Sequence, residues 1–174
     1  MFSSYRPKNS FDEYFKDNVN SAREILIPLL SSLDNMGLEE LNRNHSAAKK
    51  LLLRHGATFR LNDTGLKGTE RILPFDPLPR IISKDDWVTL EKGLKQRLEA
   101  IDLFLDDIYN SQNIINDGII PRELIESSEG WRPQMIGFKP PLNKWCQISG
   151  LDLIRDRKGD WHVLEDNLRC PSGV

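Results

Sequence analysis

Apolar residues in the first part of the chain recur at helical spacing. Phe11, Tyr14, Phe15, Ala22, Ile25, Leu26, Leu29, Leu30 and Leu33 follow steps of three, four and seven, which places them on one helical face. Pro28 interrupts this run and predicts a kink or a restart of the helix. A second helix is predicted from Leu38 to Arg54, preceded by Gly37, with Gly56 as the left-handed residue past its end. The strongest helical pattern runs from Asp85 to Tyr109. Leu94, Leu98, Ile101, Leu105 and Ile108 form its core stripe, and Lys95, Gln96, Arg97, Glu99 and Asp102 are expected on its other faces. Pro121 suits the opening of a short helix over Arg122–Ser127.

The segments between and after these helices read differently. Thr58 to Leu73 predicts short strands with turns at Asn62-Asp63, Gly65 and Gly68. Pro74, Pro77 and Pro79 then exclude a helix or a central strand, leaving an ordered connector. Beyond Gly130, Trp145–Arg155 and Trp161–Asn167 show near-alternation of apolar and polar residues around the turn signal Asp156–Asp160, a β-hairpin pattern. The predicted class is α+β: N-terminal helices, then a mixed or antiparallel β portion ending in a hairpin.

The hairpin register carries the chemistry. With Lys158-Gly159 as a two-residue loop, or Arg157–Asp160 as a four-residue loop, Asp152 falls opposite Glu165 and Gly150 opposite Asn167. A loop of three or five residues would slip that register and separate the pair. In the even register Asp152, Glu165 and Asn167 share one face, with open space beside Gly150, and Leu151, Leu153 and Leu164 lie on the other face with Asp166 and His162. Two carboxylates facing each other repel, and a divalent cation between them reverses that sign. The alternative is an ordinary acidic hairpin face. Two carboxylates and an amide oxygen are hard ligands that suit magnesium or calcium better than zinc. Magnesium usually keeps several positions for water and nucleotide phosphate, so this trio resembles half of a nucleotide–metal site.

Composition narrows the classes. The 174 residues carry 24 Lys plus Arg against 26 Asp plus Glu, a net charge of −2, which argues against a nucleic-acid partner despite four Trp residues. No run approaches the roughly 20 apolar residues of a membrane helix, and the first ten residues lack a signal-peptide core. Cys146 and Cys170 make no disulfide framework, and a cytoplasmic location is the expectation. With His162 they match no zinc spacing, and Cys170 has no evident His or Asp partner for nucleophilic chemistry. At this length one domain with its own core is expected.

The residues resemble the N-terminal part of the circularly permuted ATP-grasp family (type 2), a family of bacterial proteins. The likeness rests on Gly68-Thr69-Glu70-Arg71, Pro74-Phe75-Asp76-Pro77-Leu78-Pro79-Arg80-Ile81-Ile82 and Gly93-Leu94-Lys95-Gln96-Arg97. It continues through Phe104-Leu105-Asp106-Asp107-Ile108-Tyr109, Gly150-Leu151-Asp152, Leu164-Glu165-Asp166-Asn167-Leu168-Arg169 and Pro171-Ser172-Gly173-Val174. The resemblance implies a carboxylate–amine ligase that uses ATP as co-substrate, with magnesium, and proceeds through an acyl phosphate, as in the related glutathionylspermidine synthetase. It implies that Asp152, Glu165 and Asn167 are metal ligands, the trio that the register brings together independently.

Other positions acquire candidate roles through the same likeness. Arg169 falls on the Asn167 face if the strand continues, where it would touch phosphate as a catalytic or nucleotide-binding residue; the alternative is a plain surface arginine. Ser172 and Gly173 begin a loop whose amides would approach an anion, or form an ordinary turn. Arg71, Asp76 and Arg80 either bind substrate or pin the proline-rich connector.

The chain departs from the full family pattern by ending just after the metal motif, with no Gly-rich phosphate loop of its own. Residues 1–174 are thus expected to be the N-terminal portion of a longer permuted domain, inactive alone. A partner chain supplying the other half is one alternative. Another is a non-catalytic binding or scaffold module that keeps the fold. The carboxylate and amine substrates are left open.

Overall fold

In this computed structural model residues 2, 4–6, 10–16, 20–60, 70–72 and 74–171 are described. They divide into two compact units, Met1–Ser83 and Lys84–Val174, where length alone predicts one domain. Helices and short antiparallel sheets make up both, as an α+β class requires.

In the first unit, helix α1 spans Ile27–Arg54 after a short 3-10 turn at Glu24–Leu26. Pro28 sits in the first turn of α1, where its missing N–H costs nothing, so it starts the helix instead of kinking it. The predicted helical face upstream does not form. The described residues 11–16 and 20–22 form no helix, and Phe15 makes an isolated antiparallel bridge with Ala22. The carboxylate of Asp12 takes the N–H groups of Tyr14 and Phe15 at 2.8 and 2.9 Å, an Asx-type contact that competes with helix formation. The apolar spacing is nevertheless used: Phe15, Leu26 and Leu30 form the buried cluster, with Phe2, Tyr14, Ala22, Leu29 and Ile81 packed around it.

Gly37 adopts φ 77°, ψ 161° inside α1, a conformation open essentially to glycine alone, and breaks the helix at the predicted boundary. Gly56 has φ 68°, as the helix end predicts. Strands β1 (Thr58–Arg60) and β2 (Glu70–Ile72) pair antiparallel. The predicted turns at Asn62-Asp63, Gly65 and Gly68 lie outside the described residues.

In the second unit, α2 spans Lys84–Tyr109. Short helices α3 (Asn113–Asn116) and α4 (Arg122–Glu126) follow, then the hairpin of β3 (Gly150–Arg155) and β4 (Trp161–Asn167). Strand character begins only at Gly150, five residues later than the Trp145 start that the sequence predicts. Trp145 belongs instead to an anchored irregular segment.

Asp102 corrects the sequence reading most sharply. It is 6% exposed, not on an outer face of α2. Its carboxylate accepts the Lys144 ammonium at 3.0 Å and the N–H groups of Trp145 and Cys146 at 2.9 and 3.2 Å. Burial pushes its pKa up, but these hydrogen bonds outweigh that and hold it below the ordinary carboxylate range. Two turns of α2 further on, Tyr109 stacks between Trp131 and Trp145, with centroids 4.6 and 5.1 Å away. Asp102 and Tyr109 together fix the segment that delivers β3.

Candidate metal face on the hairpin

The turn between β3 and β4 has an odd loop. The N–H of Asp156 donates to the Asp160 carbonyl at 2.9 Å, which leaves Arg157, Lys158 and Gly159 as the loop, with Gly159 at φ 93°. The Asp156 carboxylate organises it by accepting the N–H groups of Lys158 and Asp160, both at 2.9 Å. Next to the turn the pairs are Arg155 with Trp161, Ile154 with His162 and Leu153 with Val163. This is the slipped register.

A register shift then falls between Asp152 and Leu153. Leu164 is the extra residue on β4, a β-bulge, and beyond it Asp152 pairs with Glu165, Leu151 with Asp166 and Gly150 with Asn167. The pairing expected from an even loop is therefore present, reached by two offsets that cancel. Directly paired residues share a face, so Asp152, Glu165 and Asn167 lie on one side of the hairpin. Asp152 and Glu165 are exposed and Asn167 is half-buried.

The bulge also changes which residues occupy the opposite side. Trp161 and Val163, not His162 and Leu164, turn toward α2 with Leu153. Together with Leu90, Gly93 and Leu94 of α2 they line a cleft of about 580 Å³, to which His162 also contributes. Leu164 is 66% exposed. None of Asp152, Glu165 and Asn167 lines this cleft. Two polar contacts tie the hairpin to α2 beside it. Asp86 of α2 receives Arg155 at 3.2 Å and the Trp161 indole N–H at 3.3 Å. Arg97 of α2 grips Asp166 with two hydrogen bonds, Nε to Oδ1 at 2.7 Å and Nη2 to Oδ2 at 2.6 Å. The Arg97 guanidinium holds the Asp166 carboxyl below the usual range.

Other predicted positions fall elsewhere. β4 ends at Asn167, so Arg169 lies past the strand in an exposed bend and does not inherit the Asn167 face by alternation. Ser172 and Gly173 lie outside the described residues. The space expected beside Gly150 is filled by Pro171: a Cβ on Gly150 would stand 3.0 Å from the Pro171 Cβ. Asp76 takes the Leu78 N–H at 2.9 Å, and Arg80 pairs with Glu13 at 3.4 Å. Both contacts pin the proline-rich connector of the first unit. Arg71 lies in β2, opposite Phe59 of β1. Burial raises the Cys146 thiol pKa, and the neighbouring Asp102 adds to it, which disfavours a reactive thiolate.

Among the described residues no three His, Cys, Asp or Glu side chains gather as a metal cluster. The trio here has two carboxylates and an amide, a donor set that leaves most of a hard cation's shell to other ligands. That set fits magnesium bound jointly with nucleotide phosphate, and the like charges of a directly opposed Asp–Glu pair fit it too.

Two carboxylates and an amide on the exposed face of a helix-backed antiparallel hairpin make a candidate site for a hard cation. Residues 79–174 match the model of the circularly permuted ATP-grasp type 2 family, and the chain belongs to that family. An uncharacterized protein of Synechocystis sp. is 47% identical over all of this chain and 36% of its own length. An uncharacterized protein of Mycobacterium bovis is 41% identical over 95% of the chain and 29% of its own length. A Frankia alni protein named "Putative glutamate–cysteine ligase 2-3" is 34% identical over all of the chain and 20% of its own length. The chain thus spans about a third or less of these relatives. No helix among the described residues is long and apolar enough to cross a membrane.

Proposed function

We propose that this chain is the metal-binding part of a magnesium-dependent carboxylate–amine ligase. The observation that carries the reading is the pairing of Asp152 with Glu165, with Asn167 on the same face. Family membership supports ATP as the co-substrate. A carboxylate oxygen of one substrate attacks the γ-phosphorus of ATP, the bond to ADP breaks, and an acyl phosphate forms. An amine then attacks the acyl carbon, loses a proton, and phosphate departs with the bonding electrons.

Asp152, Glu165 and Asn167 would hold the magnesium. Bound there, the cation offsets charge on the phosphate oxygens during transfer. The chain's own part is orientation. The hairpin presents the three donors together, and α2 behind it keeps the strand from turning. The remaining nucleotide and substrate contacts come from residues outside this chain, in the same polypeptide or a partner.

The test uses the complete gene product with Mg-ATP, hydroxylamine and a panel of amino acids and dipeptides that includes glutamate and cysteine. ADP release with a matching hydroxamate, absent in Glu165→Gln, is the expected result. Failure to bind Mg-ATP at all contradicts the proposal and leaves a non-catalytic module.

A further inference from the structure

We infer that Arg97 and Asp166 form a positioning pair that aims Glu165 and Asn167, an inference that rests on the metal reading of that face. Asp166 is the residue between the two ligands, and its side chain points the opposite way, into Arg97 of α2. The contact is bidentate. Two parallel hydrogen bonds to a planar guanidinium fix the orientation of the carboxylate as well as its distance. Side chains alternate along a strand, so clamping Asp166 toward α2 sends Glu165 and Asn167 outward.

The location of the clamp gives it consequence. Leu164 is the bulged residue, where the ladder is interrupted and the strand bends and twists more strongly. Asp166 is two residues further on and ties β4 to α2 beyond the bulge. Pairing with Leu151 sets its position along the ladder, and Arg97 sets the strand's rotation. Arg97 is 46% exposed and Asp166 21%, so solvent screening limits what the pair adds to stability, and its main effect falls on orientation.

The experiment is a titration of Mn²⁺, with a non-hydrolysable ATP analogue, into the complete gene product, reading free Mn²⁺ by electron paramagnetic resonance. Parent, Glu165→Gln, Arg97→Leu, Arg97→Lys and Asp166→Asn are compared, each with its melting temperature. Arg97→Leu and Asp166→Asn are expected to weaken Mn²⁺ binding about tenfold with melting nearly unchanged, and Arg97→Lys to recover part of the loss. If Arg97→Leu does not fold, the near-isosteric Asp166→Asn carries the test. Parent binding that Glu165→Gln removes but Arg97→Leu and Asp166→Asn leave intact overturns this inference alone. A loss of affinity that tracks a loss of melting temperature across the variants overturns it as well. No Mn²⁺ binding by the parent overturns both this inference and the metal reading beneath it.

Discussion

Asp152 stands directly across the ladder from Glu165 even though the turn joining their strands is one residue out of step with that pairing. The three-residue loop at Arg157–Gly159 shifts the register once, and the bulge at Leu164 shifts it back. The second shift has a further result. It lets Val163 and Trp161 face α2 while Glu165 and Asn167 face away, which an uninterrupted β4 could not do. The apolar packing and the acidic face are both satisfied because the strand changes parity between them.

Asp102 is expected to dominate the stability of the second unit. Asp102→Ala leaves the Trp145 and Cys146 amides without their acceptor and Lys144 without its partner, at a cost of about 3 kcal/mol. Urea denaturation at neutral pH measures it. The pH dependence has a definite sign. The folded pKa of Asp102 lies below its unfolded value, so its contribution is present above the ordinary carboxylate range. It is lost as pH falls below about 4 and through the depressed folded value. The parent should therefore lose stability on acidification more steeply than Asp102→Asn.

Two glycines in helical segments should respond oppositely to alanine. Gly37 holds φ 77°, ψ 161°, so Gly37→Ala is expected to destabilise by about 1–3 kcal/mol. Gly93 lies in α2, and a Cβ there would meet nothing within 4 Å, so Gly93→Ala should stabilise by about 1 kcal/mol. Paired thermal melts read both signs.

Gly150→Ala probes the close approach at the end of the trio. The new methyl would meet Pro171 at 3.0 Å and Asn167 Cβ at 3.8 Å. A loss of about 1 kcal/mol is expected, because Pro171 must give way to the methyl while Asn167 stays at ordinary contact distance. Unchanged melting would contradict this.

Some of these features are legible in the sequence, and others are concealed for identifiable reasons. The α2 stripe is visible because Leu94, Leu98, Ile101, Leu105 and Ile108 repeat at the helical period, and packing follows that period. Gly37 and Gly56 are visible because positive φ selects glycine. The Asp152–Glu165 pairing follows from a simpler turn than the real one, since no local signal marks Leu164 as a bulge. Phe11–Ala22 imitates a helix because its apolar residues have the right spacing, while Asp12 diverts the backbone amides. Asp102 and Arg97 look like solvent-facing residues on a helix. Their partners stand 42 to 44 and 69 positions away, beyond the reach of any local pattern.

The most direct test of the metal face compares the melting temperature of parent and Glu165→Gln in the complete gene product, each with and without Mg-ATP. Glu165→Gln removes the repulsion opposite Asp152, so without Mg-ATP it should melt at or above the parent, by up to about 1 kcal/mol in stability. With Mg-ATP the order should reverse, because only the parent gains the binding free energy. The same Mg-ATP shift in both proteins would contradict the account, and so would no shift in either.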